Sequence, residues 1–274
     1  ITVGARYDNH SRFGSAFSPR VGLNKTIDKL HLKLLYSRAF RAPSIENLNY
    51  SETGDLDPEI TEVIEFEAGY LIGSKMTVVA NVYNIKIENP IIFTADGGDV
   101  YANFSRAGTV GFETEYKIKD KWGYLTLNYA YYYANNNEVD EYKVPQTKKS
   151  VLGHANSRVN AFASFRIGNI MSINPSIYYT GKQYGATEVD ALDNPVINEI
   201  DPIVNFNLYL NFNNVLTENL TIGAGVFDLF DGGRLFVQPY NGGMFPMPGS
   251  GREFVIKISY DFKVISLGSS LLII

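Results

Sequence analysis

Along most of this chain apolar and aromatic residues alternate, one position at a time, with small and polar ones. Within 204–213, Val204, Phe206, Leu208, Leu210 and Phe212 fall on one side, and Asn205, Asn207, Tyr209, Asn211 and Asn213 on the other. A period of two belongs to a β-strand, whose successive side chains point to opposite faces, so the segment has one greasy face and one rich in amides. Leu125, Leu127, Tyr129, Tyr131 and Tyr133 likewise oppose Tyr124, Thr126, Asn128, Ala130 and Tyr132. Val159, Ala161, Ala163, Phe165 and Ile167 oppose Arg158, Asn160, Phe162, Ser164 and Arg166. The pattern predicts twelve strands, at 1–9, 15–26, 29–40, 60–72, 75–93, 101–118, 122–135, 156–167, 171–183, 202–215, 219–230 and 251–262, with loop elsewhere. From Met76 to Ile92 the alternation is poor, which predicts a bulge or a change of environment as the strand leaves a membrane.

The connections sort by length. Short turns fall at 25–28, 73–75, 119–121, 168–169 and 216–219, and long polar links at 41–59, 94–100, 136–155, 184–201 and 231–250. A soluble sandwich would pair the greasy faces of two sheets and has no reason to sort its loops by parity. An outer-membrane barrel turns the greasy face to lipid, with short turns at one end and long loops at the other. The predicted fold is therefore all-β, an antiparallel up-and-down transmembrane β-barrel.

Composition fits this reading without deciding it. Apolar residues make up 45% of the chain and charged residues 19%. The mean hydropathy of -0.10 is that of a barrel, where only alternate residues meet lipid. Nineteen Tyr and seventeen Phe suit a membrane interface, where a ring sits in the apolar layer and a hydroxyl in the wet one. A net charge of -5 argues against a nucleic-acid partner, which needs a basic stripe. The absence of cysteine removes disulfides, thiolate metal ligation and thiol catalysis together. No apolar run is long enough to cross a bilayer as a helix. The chain opens directly in a strand at Ile1, without a signal-like stretch, and so reads as a fragment whose N-terminal part is missing.

The last predicted strand sets Phe254, Ile256, Ile258, Tyr260 and Phe262 on the lipid side, facing Glu253, Lys257, Ser259 and Asp261. Its aromatic last residue, Phe262, resembles the C-terminal signature of outer-membrane barrels, which implies the barrel-assembly machinery as a partner. Residues 1–262 are read as barrel, and 263–274 as a tail of unassigned role, most simply a cloning or frameshift remnant.

Several stretches carry a more specific resemblance. They are Phe17-Ser18-Pro19-Arg20-Val21-Gly22-Leu23; Ser37-Arg38-Ala39-Phe40-Arg41-Ala42-Pro43-Ser44-Ile45-Glu46-Asn47-Leu48; and Asp55-Leu56-Asp57-Pro58-Glu59 running into Phe66-Glu67-Ala68-Gly69. Tyr101-Ala102-Asn103 with Ala107, Gly111 and Glu113, and Pro248-Gly249-Ser250-Gly251-Arg252, complete the set. In this order they resemble the C-terminal barrel of a TonB-dependent outer-membrane receptor. The resemblance implies a complete barrel of about 22 strands around an N-terminal plug, of which this chain holds roughly the last twelve and none of the plug. It further implies energised uptake of a scarce nutrient, most simply a ferric siderophore, with haem or cobalamin as alternatives. The TonB complex would act through the missing plug, in the outer membrane of a Gram-negative bacterium.

Read from the residues, Pro43 ends a strand, because it lacks a ladder donor and holds Ala42 extended. Glu65, Glu67, Glu113 and Glu115 lie opposite Ile64, Phe66, Phe112 and Thr114 and so face the lumen, where enclosed carboxylates need partners. Arg38, Lys117, Arg158 and Arg166, read as lumen-facing cations, or water, are one source. The resemblance implies another: Glu67 and Glu113 pair with plug arginines. An anionic iron chelate asks for aromatic surface and cations near the loop bases, which Arg41, Tyr101, Arg106, Arg234, Phe236, Tyr240 and Phe245 meet by type and position, as they would loop packing. The loop 231–250 is read as closing over a ligand. Haem receptors of this kind carry a histidine between the two loop motifs, and 44–57 contains none; His10, His31 and His154 are no metal site, and no cofactor is read. Two rivals stand beside the receptor. His154 and Ser157 suggest an outer-membrane phospholipase, but adjacent loop residues do not make a catalytic triad, so no catalytic residue is assigned. A passive porin or autotransporter barrel is the other. A part-barrel leaves two open edges, which lipid does not tolerate, so the chain by itself is expected to transport nothing.

Overall fold

The computed structural model describes residues 1–51, 54–94, 100–135, 137–238 and 245–262. The chain runs through β1 (Thr2–His10), β2 (Gly14–Ile27), β3 (Leu30–Arg41), helix α1 (Ile45–Asn49), β4 (Glu59–Ile72) and β5 (Met76–Glu88). A loop hairpin, β6 (Ile91–Thr94) and β7 (Val100–Asn103), precedes β8 (Arg106–Asp120) and β9 (Gly123–Ala134). A second hairpin, β10 (Lys143–Val144) and β11 (Thr147–Val151), leads to β12 (Ser157–Ile167) and β13 (Met171–Thr180). The hairpin of β14 (Gln183–Val189) and β15 (Pro195–Ile200) is followed by β16 (Ile203–Asn213) and β17 (Leu220–Phe227). Short β18 (Leu235–Phe236) and β19 (Met247–Pro248) then pair before β20 (Glu253–Tyr260).

Twelve of these strands form one antiparallel sheet, in the order β1-β2-β3-β4-β5-β8-β9-β12-β13-β16-β17-β20. Each is hydrogen-bonded to its neighbour in this series, and β1 and β20 are the two edges. The sheet matches the twelve expected strands. Its register shows no slip: β4 pairs with β5 from Ile60↔Glu88 to Ile72↔Met76, and β5 with β8 from Met76↔Ile118 to Glu88↔Arg106. The bulge expected between Met76 and Ile92 is therefore absent. The poor alternation has another cause. β5 ends at Glu88, Asn89 takes the left-handed conformation at φ 51°, Pro90 cannot donate to a ladder, and Ile91–Thr94 begins a separate hairpin paired to Val100–Asn103.

The turn end is built from residues that tolerate positive φ, with Asp28, Gly73, Gly168 and Asn214 at 50°, 63°, 55° and 53°. At Gly123, φ is 132° and a Cβ would collide with the Ser164 carbonyl of β12, so only glycine closes this turn. The length sorting has one exception, the tight turn from His10 to Gly14 at the long-loop end, where His10 stacks on Phe13 with centroids 4.8 Å apart.

Buried apolar side chains gather in the loops rather than against the sheet. Val144, Leu152, Ala186 and Ile197 pack together with Tyr184 beside them, joining the second and third loop hairpins. On the sheet the apolar face lies open: Phe66 is 43% exposed, Val82 51% and Ile256 76%. This is the inverse of a soluble sandwich, and it suits a surface covered by lipid. Helix α1, outside the expected strand-and-loop reading, starts at a capping box: Ser44 Oγ accepts from the Asn47 N–H at 3.1 Å, and Asn47 Oδ1 accepts from the Ser44 N–H at 2.9 Å. Its signal, Ser44 three residues before Asn47 just after Pro43, was present in the sequence.

Candidate functional site

The register lines up one row across the polar face: Lys33, Glu67, Asn81, Glu113, Ala130 and Arg158, on β3, β4, β5, β8, β9 and β12. Lys33 Nζ donates to Glu65 Oε1 at 3.0 Å and lies 4.0 Å from Glu67 Oε2. His31 Nε2 is 4.0 Å from Glu67 Oε1, and Lys117 Nζ is 2.7 Å from Glu115 Oε1. Glu65, Glu67 and Glu115 thus each have a basic neighbour. Glu113 forms no ion pair among the described residues.

Of the four cations expected to serve these carboxylates, Lys117 does. Arg38 does not face the lumen at all, and that expectation is corrected. It lies opposite Glu62, in the column of Leu34 and Tyr36 on the apolar face, with its Nε 3.7 Å from Glu62 Oε1. Glu62 in turn lies opposite Lys86, so charge follows the Tyr36 level where the strands pass beyond the apolar band. Arg158 stands two strands from Glu113 with Ala130 between, and Arg166 lies at the turn end beside Ser164, Ser172 and Asn211. Lys33 and His31, which supply the acidic row, were not foreseen; their parity within β3, opposite Glu67 and Gly69, was the available signal.

The expected ligand residues separate into two groups. In the first, Arg41 Nη2 donates to Glu59 Oε2 at 2.8 Å, and Arg106 Nε is 3.4 Å from Glu138 Oε1, so both cations are already neutralised. Arg106 also shares the parity of Val110 and Phe112 on the apolar face. The Tyr101 hydroxyl donates to Glu46 Oε1 at 3.3 Å, and desolvation followed by the Glu46 charge pushes its pKa up. Asn103 braces this region: it accepts from the Asp57 N–H at 2.7 Å and donates to the Asp57 and Asn89 carbonyls at 3.0 and 2.9 Å.

The second group lies on the last loop. Arg234 stacks over the Phe236 ring with Cζ 5.1 Å from its centroid, and both line a cavity of about 670 Å³ with Arg158, Gln183, Asn160 and Asn205. Neither Arg158 nor Arg234 has a carboxylate partner within ion-pair distance among the described residues. Asp228 is buried against the same cavity but is occupied, accepting from the Gly232 and Gly233 N–H groups at 3.0 and 3.2 Å. Phe245 is exposed, and Tyr240 lies outside the described residues. Sequence reasoning identified Arg234 and Phe236 but assigned Arg158 to the glutamates; that Arg158 also borders this cavity depends on the fold of the last loop.

A second cavity, of about 650 Å³, is bordered by the loop residues Asn137, Tyr142, Val151 and His154 and lined on the sheet by Glu65, Asn81, Tyr83, Glu113 and Tyr132. Desolvation and the Arg158 guanidinium hold the His154 imidazole below its ordinary pKa. No hydrogen bond joins His154 to Ser157, whose carbonyl instead accepts from the Gly181 N–H at 2.9 Å. Among the described residues no cluster of three His, Asp or Glu side chains is placed to hold a metal ion.

Residues 1–229 match the family described as TonB dependent receptor-like, beta-barrel. The chain belongs to this family. TonB-dependent receptors are transport receptors rather than enzymes. No curated protein matches the chain. Among solved structures it is similar to the ferric enterobactin receptor PfeA of Pseudomonas aeruginosa, at 18% identity and a TM-score of 0.71, over 95% of this chain and 42% of that one. The siderophore receptor PirA of Acinetobacter baumannii aligns at 17% identity and a TM-score of 0.72, over 95% and 43%. The ferric-catecholate import receptor Fiu of E. coli aligns at 15% identity and a TM-score of 0.70, over 91% and 35%. At such identity the likeness is one of fold, and the chain spans less than half the length of these receptors. The TonB-dependent receptor barrel also accounts for the exposed apolar face, which in this family meets the outer-membrane hydrocarbon.

Proposed function

We propose that this chain is the C-terminal wall of an outer-membrane receptor that takes up a ferric siderophore, holding the chelate at the loop end against Arg158, Arg234 and Phe236. The observation that carries this reading is the cavity at the last loop, where two guanidinium groups have no carboxylate partner among the described residues and one stacks on an aromatic ring. An anionic, aromatic chelate is matched by such a surface, because guanidinium forks hold oxygen pairs and ring faces hold cations. The receptors of like fold include ones named for ferric enterobactin and ferric catecholates.

On this reading Glu67 and Glu113 latch the plug that fills the lumen, the TonB complex pulls on that plug, and the strand ending near Phe262 is presented to the barrel-assembly machinery. Residues 1–262 are barrel and 263–274 an appendage. The test is carried out in the complete receptor. Replacing Arg158 and Arg234 together by Ala is expected to weaken binding of a ferric catecholate, read by tryptophan fluorescence or radio-iron uptake, with insertion unchanged. Wild-type affinity in that variant overturns the siderophore assignment. Replacing Glu67 and Glu113 by Ala is expected to leave insertion intact and loosen the plug; unchanged plug stability overturns the latch.

A further inference from the structure

At the turn end, the polar face carries an arginine within a set of amides and hydroxyls. The register places Arg166 of β12, Ser172 of β13 and Asn211 of β16 side by side, at a strand spacing of about 4.8 Å. With Ser164, Asn174 and Asn213 they line a cavity of about 480 Å³. The Arg166 N–H donates to the Trp122 carbonyl at 2.7 Å, but its guanidinium makes no hydrogen bond or ion pair among the described residues. The amides are half used. Asn174 Nδ2 donates to Ser172 Oγ at 3.2 Å, Asn211 Nδ2 to the same oxygen at 3.5 Å, and Asn213 Nδ2 to the Asn169 carbonyl at 3.4 Å. Among the described residues these three amide oxygens accept nothing, and Ser172 Oγ, twice an acceptor, keeps its own hydrogen to donate.

A ligand that completes this cavity brings an oxyanion to Arg166 and N–H or O–H donors to the amide oxygens. A cation is repelled by Arg166, and an anion without donors leaves the amide oxygens unserved. The wall leading here suits the same ligand. β12, β13, β16 and β17 contain no Asp or Glu, so over the stretch of about 26 Å from Arg158 to Arg166 no carboxylate of these strands opposes an anion. Asn160, Ser176 and Asn207 stand between, neutral groups that hold a solute weakly enough to release it. We propose that the Arg166 cavity is a second station for an oxyanion bearing N–H or O–H donors, which receives the chelate from the Arg158 and Arg234 cavity before it leaves by the turn end. The cargo is the one given by the uptake reading above; the binding site is a separate claim about this wall.

The test uses the complete receptor. Calorimetry measures binding of 2,3-dihydroxybenzoylglycine, which sets a carboxylate beside N–H and O–H donors, and of benzoate, which lacks the donors. The background is Arg158→Ala with Arg234→Ala, so that the loop-end cavity is silent. Affinity for a ferric catecholate and uptake of its radio-iron are measured with those two arginines intact. Arg166→Gln is compared with Asn211→Asp, which keeps the shape of the wall and sets a carboxylate beside the guanidinium. Both are expected to abolish binding of the glycine conjugate and to lower the maximal uptake rate about tenfold, the loss of one hydrogen bond to a charged group, with affinity at the loops unchanged. If one variant fails to insert, the other decides. Lost binding with wild-type uptake leaves the oxyanion site standing and overturns the relay. Unchanged binding of the conjugate in both variants, equal binding of benzoate, or no binding by the background protein overturns the site. If wild type neither binds nor takes up the ferric catecholate, yet the conjugate binds through Arg166, the siderophore reading falls and the site stands.

Discussion

The two halves of the polar wall satisfy their side chains in different ways. Between β3 and β8 the groups are charged and paired, Lys33 with Glu65 across two strands and Lys117 with Glu115 along one, and among the described residues one carboxylate, Glu113, is left over. Between β13 and β17 they are neutral. Asn207 donates to Ser176 Oγ at 3.1 Å, Asn211 to Ser172 Oγ at 3.5 Å, and Asn174 to the Tyr209 carbonyl at 3.0 Å. Charge-assisted contacts are strong and hold a fixed partner, while neutral amide contacts are weak enough to be exchanged with water or a passing solute. The two cations without a carboxylate partner among the described residues, Arg158 on β12 and Arg234 beyond β17, flank this half where the wall meets the loops. The contrast teaches that one side of the lumen is suited to anchoring and the other to letting something pass.

The proposed division of labour breaks first at the cations. Replacing Arg158 and Arg234 together by Ala is expected to cost about 3 kcal/mol or more of ferric-catecholate affinity, whereas Glu113→Gln leaves that affinity unchanged; equilibrium titration of both variants checks this. The next largest effect concerns how the amide half carries the large polar ring of Tyr209. Tyr209 lies across Gly223 and Gly225 of the facing strand, where a Cβ would overlap the ring, so Gly223→Val is expected to destabilise the folded protein by roughly 1–3 kcal/mol in urea unfolding. Removing the brace at the acidic half's loops should cost somewhat less. Asn103→Ala strands the Asp57 N–H at a partly wet site and is expected to cost about 1–2 kcal/mol and to raise amide exchange in 54–58 and 89–94. The smallest effect is a matter of pH. In the third loop hairpin Lys182 Nζ lies 2.5 Å from Glu199 Oε1, and this contact, then the Tyr184 hydroxyl bond, lowers the Glu199 pKa while burial opposes it. A lowered carboxyl contributes stability above its unfolded pKa, near 4.5, and loses it as pH falls through the folded value. Exchange protection of β14 and β15 should therefore fall slightly below pH 4.5, and Glu199→Gln should abolish that dependence.

How much of this was legible in the sequence follows from which interactions are local. Alternation is fixed residue by residue, so the run from Val204 to Asn213 was legible as a strand with two unlike faces, and the register with β13 and β17 keeps those faces apart. Arg38 shows where charge misled. Its parity with Leu34 and Tyr36 places it outward and not in the lumen, and there it meets Glu62 on the next strand. The loop hairpins were illegible for another reason. Ile91–Thr94 reads as a continuation of β5, and only the backbone at Asn89 and Pro90 separates them. At the candidate sites, parity places Glu67, Glu113 and Arg158 on the polar face, but whether each carboxylate or guanidinium is already neutralised depends on long-range neighbours. Lys33, Glu59 and Glu138 decide that for Glu65, Arg41 and Arg106.

The strand order carries a kinetic consequence. Because every strand of the main sheet bonds to the strands next to it along the chain, no pairing waits for a distant segment, and loop closure at the turn end costs only the entropy of a few residues. Such a sheet can grow as a zipper, one hairpin after another, and at each stage it shows the membrane only two unpaired rims however many strands have been laid down.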